Sequence, residues 1–562
     1  MAFGREEIAT FPSPFEFNAR DPITLVELRM HILSGLIRQK PRWWEKVLDD
    51  ELVAKWRAEM VEYDRVAREK EWDDSGEDVY GARRWPRDAL TDAQLDYVFA
   101  ELKHVAGERD EKTGIHATSV PWVYQSFSLV PTNLKSALLR GVAALEDVPE
   151  EEKDWHPGSN RQVLDLVHPS LYCFRLGKSL VLTADEHRLP GKDPLSSYSL
   201  QQYLDDRDDY DMNSTAFSED FQWLPTVFEV SETGDVERKS YINNLHPIKH
   251  ASLYRTITGV LQQFVPMFER VLSDAASPVP PPVIQVDPHG WYSHIPEMSY
   301  EEEGYEEWCT NRWPLVPDPP PFAPPPTADR VDVNLKGRQI RVIVKLANIV
   351  LTPEHPSYPG GSWHVEGMAN ENIVATGLYY YASENITESR LAFRVQVGTD
   401  ADSMDMKYQQ SDNRGYRAVF GFGGDDELNQ ELGHVVAEED KCVAFPNINQ
   451  HRVEPFELAD RSRPGHRKIL AFFLTDPFED VQSTMMVPPQ QREWYLDEME
   501  LIPVLRKLPR ELFDMIADYV LEGTITRAEA EADREQLMEE RQRFVMQHNE
   551  EVFEVGFNMC EH

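Results

Sequence analysis

Cysteine is scarce in this sequence, and the few cysteines present lie far apart. Only four occur in 562 residues, Cys173, Cys309, Cys442 and Cys560, and no two of them form a CxxC pair. Such widely separated cysteines exclude a disulfide-stapled scaffold and a cysteine-based zinc site. This usage is typical of a protein in a reducing compartment.

Long apolar runs are also missing. No stretch of about 18 consecutive apolar residues occurs, so the sequence predicts no membrane-spanning helix. The first residues, MAFGREEIATFPSPFEF, contain acidic side chains and no apolar core, so we expect no signal peptide. Together with the cysteine usage, these absences predict a cytoplasmic protein that has no membrane partner.

Basic residues are far fewer than acidic ones. The chain carries 57 lysines and arginines against 98 aspartates and glutamates, which gives a net charge of −41 at pH 7. A surface this acidic repels nucleic acids and anionic membranes. We therefore expect the protein to bind a small molecule and no nucleic acid. The sequence does not indicate an oligomeric state.

Periodicity and proline content divide the chain into four segments. Residues 1–276 are mostly helical in pattern with short strand-like runs, and residues 277–329 contain two proline-rich stretches that we expect to be extended connectors. Residues 330–487 carry short apolar or alternating runs separated by turn signals, which are typical of a β sandwich or barrel. Residues 488–562 return to a charged helical pattern. These segments together predict an α+β fold.

Two metal-competent side chains stand close together in the stretch GGSWHVEGMANENIVATGLYYY. They are His364 and Glu366, and residues i and i+2 of an extended chain face the same way, so both can reach one centre. His451 offers a third ligand beside a distant apolar strand pattern. Two imidazoles and one carboxylate, with three coordination positions left open, form the facial triad of non-haem Fe(II) oxygenases. The sequence therefore predicts an iron site at these residues, and no catalytic residue beyond the ligands.

A basic residue follows the distal histidine in the stretch RSRPGHRKILAFFLTD. A 2-oxoglutarate enzyme must pair the far carboxylate of this co-substrate inside a semi-buried pocket, and the planar fork of arginine does this best. Arg467 is the predicted anchor because strand alternation places it on an apolar, inward face, with Lys468 facing outward. Arg461 and Arg463, in the expected turn, are the alternatives.

The strength of these signals depends on their combination. An HxE pair alone is a weak signal, and here Glu366 replaces the commoner aspartate, although its longer side chain can still reach a metal. The distal His451 and the following Arg467 within one predicted β region make the pattern more specific. His168 and His246, by contrast, each precede a proline or lie in a turn, where we expect them to cap turns or bind buried carbonyls.

Several longer stretches resemble the fungal family known as domain of unknown function 4246. They are LANIVLTPEHPSYPGGSWHVEG, VATGLYYYASENITESRLAFR, AFPNINQHRVEPFEL and PGHRKILAFFLTDP, preceded by LVHPSLYCF, FQWLP and SYINNLHP. The resemblance implies that residues 330–487 form a double-stranded β-helix, the jelly-roll or cupin-like fold of Fe(II)/2-oxoglutarate oxygenases. In such barrels the strand before the HxE pair can help to hold the co-substrate, which points to Asn348, with Lys345 close to it.

The residues and the resemblance together predict one activity and leave two alternatives. The predicted protein uses Fe(II), O₂ and 2-oxoglutarate to oxidise a small molecule by hydroxylation, desaturation or ring closure, releasing succinate and CO₂. The first alternative is a cupin-type metalloenzyme that uses the same triad without 2-oxoglutarate. The second is a non-catalytic interaction protein whose proline-rich connectors serve as docking sites, since Arg312 flanks a PxxP sequence.

Overall fold

The computed structural model describes residues 9–16, 20–72, 82–182, 195–205, 216–398, 406–409 and 412–559. Within these residues the helices are α1 (Leu25–Arg38), α2 (Trp43–Lys46), α3 (Asp50–Glu71), α4 (Asp92–Glu108), α5 (Thr132–Glu146), α6 (Leu200–Asp205), α7 (Ala251–Ala276), α8 (Tyr305–Asn311), α9 (Asn413–Phe420), α10 (Arg492–Leu501), α11 (Arg510–Val520) and α12 (Arg527–His548). No helix in these ranges has the length and apolar character needed to cross a membrane.

The strands alternate with these helices. They are β1 (His116–Ala117), β2 (Tyr124–Ser126), β3 (Val163–Val167), β4 (Phe174–Arg175), β5 (Leu180–Leu182), β6 (Leu195–Ser197), β7 (Phe221–Gln222), β8 (Thr226–Val230), β9 (Val236–Arg238), β10 (Arg338–Leu351), β11 (Ser357–Tyr358), β12 (Ile373–Glu384), β13 (Arg390–Gln396), β14 (Asn429–Val436), β15 (Cys442–Pro446), β16 (Gln450–Val453), β17 (Phe456–Glu457) and β18 (Gly465–Thr475). Three of them, β10, β12 and β18, are long and rich in β-branched and aromatic residues, which favour extended structure.

A nine-stranded antiparallel main sheet forms the centre of the molecule. Its order is β1-β2-β15-β12-β18-β10-β8-β9, and β3 pairs with the second half of β10 beyond the end of β8. The strands β1, β2, β3, β8 and β9 come from the first 276 residues, so the N-terminal region contributes directly to this sheet. Strand β3 lies next to β10, the long strand that comes before the HxE pair in the sequence.

Both faces of the main sheet are covered by apolar side chains. On the outer face, α7 packs its buried stripe, including Phe264 and Phe268, against residues such as Phe472 of β18. On the inner face, a second antiparallel sheet of order β14-β13-β16 packs against the main sheet, and the rings of Phe393 and Phe445 meet at 5.0 Å. Burial on both faces explains why the central strands have continuous apolar sequences.

The strands that follow residue 337 are divided between two layers. Strands β10, β12, β15 and β18 are neighbours in the main sheet, whereas β13, β14 and β16 form the second sheet and β11 pairs with β17. The predicted combination of helices with antiparallel sheets is confirmed. Among the described residues no sheet closes on itself, so the jelly-roll barrel implied by the resemblance is not shown.

The remaining segments pack around this centre. Helices α1, α3 and α4 share a separate apolar cluster, and Ile284 and Val316 of the proline-rich connectors pack against it. The carboxylate of Glu27 accepts hydrogen bonds from the backbone of Val283 and Ile284, so the connector is fixed to α1. At the other end of the chain, Leu537 of α12 contributes to the cluster between the two sheets.

Gly377 of β12 gives a direct test of the packing between α7 and the main sheet. A Cβ atom at this position would lie 2.8 Å from carbon atoms of Phe264 and Phe268, so both rings would have to shift. Overpacking of this kind costs about 1–3 kcal/mol, and we expect Gly377→Ala to lower the urea midpoint of unfolding accordingly. Gly107→Ala in α4 is the matched control, because its Cβ would meet nothing within 4 Å, and we expect it to be neutral or stabilising. An unchanged midpoint for Gly377→Ala would contradict this packing.

Candidate metal centre

The two histidines of the predicted triad are held side by side by their own backbones. The amide of His364 donates to the carbonyl of His451 at 3.2 Å, and the amide of His451 donates to the carbonyl of His364 at 3.0 Å. His451 lies in β16, which pairs with β13, and His364 lies beyond β11 on the neighbouring extended segment. This reciprocal pairing brings the two imidazole rings within 4.4 Å of each other, centroid to centroid.

The carboxylate of Glu366 completes the group. Its Oε1 lies 3.3 Å from Nε2 of His451 and 3.9 Å from Nε2 of His364, and ligand atoms of the three residues all lie within 4.8 Å of one another. Asn447 fixes the backbone of Glu366, because its Oδ1 accepts from the Glu366 amide at 2.8 Å and its Nδ2 donates to the Glu366 carbonyl at 2.9 Å. Asn447 directly follows β15, and no sequence pattern distinguishes it from the other polar residues around it.

The hydrogen bonds of His364 leave one ring nitrogen free for a metal. Its Nδ1 lies 2.9 Å from the carbonyl of Ser362, which can only accept, so Nδ1 carries the proton and Nε2 offers a lone pair. His451 is different, since its Nδ1 is buried without a hydrogen-bond partner and its Nε2 lies against Glu366. The nitrogen of His451 that faces Glu366, Nε2, is therefore the one placed to bind a metal.

The protonation states also suit a cation. Burial, with the neighbouring charge of His451, lowers the pKa of His364 to about 4, although 33% of its side chain remains exposed. Burial raises the pKa of Glu366, but the hydrogen bond from His451 and the charges of both histidines outweigh it and bring the pKa to about 2. Near neutral pH the group therefore presents an ionised carboxylate and a neutral His364 imidazole, the forms that bind metals.

Arg467 is a buried cation without an anion. Only 2% of its surface is exposed, and no carboxylate among the described residues comes within ion-pair distance of it. Its Nη1 donates to Ser389 Oγ at 2.5 Å, its Nε has no hydrogen-bond partner, and the rings of Tyr380 and Phe456 lie 5.5 and 5.4 Å from the guanidinium carbon. Burial lowers the pKa of this guanidinium, so the unpaired charge carries a desolvation cost.

The two alternative arginines lie elsewhere. Arg461 and Arg463 are exposed and pair with carboxylates of the same turn, Glu457 and Asp460. Lys468 faces away from the second sheet and forms an ion pair with Glu146 of α5 at 2.7 Å. Of the basic residues around this turn, Arg467 alone is buried on the inner side among apolar side chains.

Asn348 is not brought to this group, and the prediction for it is corrected. Its Nδ2 donates to Glu146 at 2.6 Å and its Oδ1 accepts from the hydroxyl of Tyr381, so it lies on the outer face towards α5. Lys345 lies an odd number of residues away on β10 and therefore occupies the inner face, where its charge helps to lower the pKa of Glu366. No ion pair joins Lys345 to any residue that the structure describes.

Comparison with known proteins identifies the family. The family described as "Protein of unknown function (DUF4246)" matches residues 92–498, and its N-terminal domain, "Domain of unknown function DUF4246, N-terminal", matches residues 2–59. The chain therefore belongs to the DUF4246 family, and the resemblance inferred from the sequence is confirmed. No curated protein matches the sequence significantly.

Three solved structures show a distant similarity to this chain. An Fe(II)/(alpha)ketoglutarate-dependent dioxygenase, TqaL, aligns with 11% identity and a TM-score of 0.20, over 45% of this chain and 66% of that one. IDO from Bacillus thuringiensis aligns with 12% identity and a TM-score of 0.16, over 25% and 46% of the two chains. A bsmA homolog from Methylobium petroleophilum PM1 aligns with 10% identity and a TM-score of 0.15, over 26% of this chain and 47% of that one. The alignments span less than two thirds of each of these proteins, and such low scores support no statement about activity.

Proposed function

Starting from membership of this family, we propose that the protein is an Fe(II)- and 2-oxoglutarate-dependent oxygenase that oxidises a small molecule. The observation that carries this proposal is a pair of features on the inner side of the sheets. Ligand atoms of His364, Glu366 and His451 converge within 4.8 Å, and the buried guanidinium of Arg467 has no carboxylate partner among the described residues. The first feature suits a divalent metal and the second suits a dicarboxylate.

The strand order supports a jelly-roll origin for this site. A double-stranded β-helix is built from strands that pass alternately between two facing sheets. Here β10, β18, β12 and β15 lie side by side in one layer, while the His364 segment, β16, β13 and β14 follow one another in the other. We propose that the core is an open form of this fold, with the metal ligands on the second layer and Arg467 on the first.

The chain's own side chains would prepare the metal centre. Ser362 fixes the tautomer of His364, so that Nε2 is the ligand atom, and Asn447 sets the direction of Glu366. A metal at His451 Nε2 would take the place of the proton there, and the proton would then be carried on Nδ1. A ferrous ion bound by these three residues would supply O₂ activation coupled to the conversion of 2-oxoglutarate to succinate and CO₂.

Arg467 would orient the co-substrate. Its planar fork can donate two parallel hydrogen bonds to the far carboxylate of 2-oxoglutarate, and Ser389 keeps the guanidinium in place through Nη1. The neighbouring rings of Tyr380 and Phe456 exclude water, which strengthens a charge-assisted pair. We propose a small molecule as the oxidised substrate because a net charge of −41 disfavours nucleic acids.

An anaerobic titration tests the proposal. Fe(II) is added to the purified protein, followed by 2-oxoglutarate, and the weak visible charge-transfer band of a keto acid chelating a ferrous ion is followed. Succinate is the matched control, since it has the same far carboxylate but no keto group to chelate the metal. We expect a band with 2-oxoglutarate and none with succinate. Iron binding without a band would instead favour a cupin-type metalloenzyme, and the absence of iron binding would favour an interaction protein.

A further inference from the structure

Lys345 is an inward-facing cation of the main sheet that the proposed metal centre does not use. It pairs with Ala471 of β18, and both Ala471 and Ile343, which share its face, belong to the apolar cluster between the two sheets. Among the described residues, none forms a hydrogen bond or an ion pair with its ammonium. Because this unpaired nitrogen is not fully buried, it borders space that water or a ligand can enter.

The acidic neighbour of Lys345 on the same face is already engaged. Asp165 of β3 pairs with Ala347, two residues from Lys345 on β10. Its Oδ2 accepts a hydrogen bond from His156 Nδ1 at 2.7 Å, and no ion pair joins it to Lys345. The ammonium of Lys345 is therefore free to bind an anion that enters from solution.

The segment that carries His364 and Glu366 runs along β10. Before it, Tyr358 packs against the apolar cluster that includes Leu351, the last residue of β10. At its other end, Asn447 joins Glu366 to the carbonyl of Ile373, the first residue of β12. The start of β12 pairs with the end of β18, which in turn pairs with the first half of β10. The segment therefore passes from the end of β10 towards its first half.

Lys345 lies on β10 between these two points, so it faces the segment with two of the candidate metal ligands. The pKa values of these ligands agree with this position. Burial has the largest influence on each, lowering the pKa of His364 and raising that of Glu366, and the positive charge of Lys345 lowers both. An anion bound to Lys345 would thus lie beside the metal.

The co-substrate does not account for this cation. Arg467 shares the inner face but pairs with Ile349, which is about 13 Å from Lys345 along β10 at about 3.3 Å per residue. In the proposed function, Arg467 binds the far carboxylate of 2-oxoglutarate and the metal is chelated by the other end. Both carboxylates of the co-substrate then have a partner, and Lys345 has none.

We propose that the small molecule oxidised by this protein is a carboxylate, and that Lys345 binds its anionic group beside the metal. This inference rests on the proposed function and adds the class of substrate to it. One ammonium matches the single charge of a carboxylate. A dianionic phosphate would stay partly uncompensated close to the carboxylates of Glu366 and Asp165.

Proton NMR of two probes of similar shape tests the inference on the full-length protein. They are pentanoate and pentanamide, of which only the first is charged. Mn(II) replaces Fe(II), since it broadens the signals of nearby protons, and saturating 2-oxoglutarate occupies the site at Arg467. Broadening then reports binding beside the metal, and a titration gives the dissociation constant. We expect pentanoate to bind in the millimolar range, roughly tenfold or more tightly than pentanamide.

A pair of lysine variants separates Lys345 from the general charge of the protein. Lys345→Met removes the ammonium and keeps a side chain of similar shape, so pentanoate binding should weaken roughly tenfold or more, with pentanamide unchanged. Lys103→Met, at an exposed position of α4, gives the same net charge and should change pentanoate binding less than about twofold. The affinity for 2-oxoglutarate, measured from the charge-transfer band with Fe(II), should be unchanged in both variants.

Failure of this inference is distinct from failure of the proposed function. Equal affinities of the two probes, or unchanged pentanoate binding in Lys345→Met, would overturn the inference while the charge-transfer band still supported the function. A tenfold loss of 2-oxoglutarate affinity in Lys345→Met would assign Lys345 to the co-substrate and overturn it as well. Absence of the band in the unchanged protein would overturn both. If Lys345→Met does not fold, the comparison of the two probes on the unchanged protein decides.

Discussion

Replacing His451 by alanine is expected to abolish tight Fe(II) binding and, with it, all 2-oxoglutarate turnover. His451 offers a candidate ligand nitrogen, Nε2, which lies 3.3 Å from Glu366 Oε1, and the backbone hydrogen bonds that join residue 451 to His364 do not need the imidazole. Loss of groups that merely support a ligand typically costs about 10–100-fold in metal affinity, so the loss of a ligand itself should exceed about 100-fold. Anaerobic metal titration followed by analysis of the bound iron measures this change.

His355→Ala is the matched control for this experiment. His355 is an exposed turn residue shortly before His364, and its removal should leave iron binding unchanged. Glu366→Ala should reproduce the effect of His451→Ala, because both remove one of three ligands. The triad assignment would fail if either variant bound iron as tightly as the unchanged protein while His355→Ala behaved as expected.

The grouping of the candidate ligands could be predicted in part because local geometry is visible in the sequence. Residues that lie two positions apart in an extended segment point to the same face. The structure places the side chains of His364 and Glu366 together in this way. The position of His451 beside an apolar strand pattern indicates it as the third candidate, and the reciprocal backbone pairing with His364 explains how the two segments meet. Such a long-range pairing is not visible in the sequence. The choice of His451 as the third candidate ligand therefore rests on the ligand set that non-haem iron sites use.

The face occupied by each residue of β10 could not be predicted in the same way. One face of this strand packs against α7 and the other against the second sheet, so apolar residues occur on both and no alternation shows which is inside. The resemblance alone points to Asn348, which lies on the outer face with Glu146. Lys345, three positions earlier, faces inward, where its charge helps to lower the pKa of Glu366.

The residues that hold Glu366 and Arg467 in place could not be predicted from sequence patterns either. Asn447 forms two hydrogen bonds with the backbone of Glu366, and Ser389 accepts one from Arg467, both across long separations in the chain. Isolated asparagines and serines are common in loops, where they most often stabilise turns, so nothing distinguished these two.

Arg467→Ala is expected to raise the dissociation constant for 2-oxoglutarate roughly 10- to 150-fold, since a hydrogen bond to a charged group contributes about 1.5–3 kcal/mol. Iron binding should be unchanged, because Arg467 is not a metal ligand. The shift is measured by titrating 2-oxoglutarate into the Fe(II)-loaded protein and following the charge-transfer band. Arg463→Ala is the matched control, since this nearby arginine is exposed and pairs with Asp460 in its own turn.

Two further readouts distinguish a co-substrate anchor from a structural cation. Removing one partner of a buried ion pair destabilises a protein by about 3–5 kcal/mol, whereas Arg467 has no carboxylate partner among the described residues. Arg467→Ala should therefore cost less than that in the absence of 2-oxoglutarate, and the stabilisation that 2-oxoglutarate gives to the unchanged protein should be lost. Arg467→Lys keeps the charge but not the planar fork, so its affinity should be intermediate. An alanine variant that is strongly destabilised yet binds 2-oxoglutarate normally would show that Arg467 supports the fold and not the co-substrate.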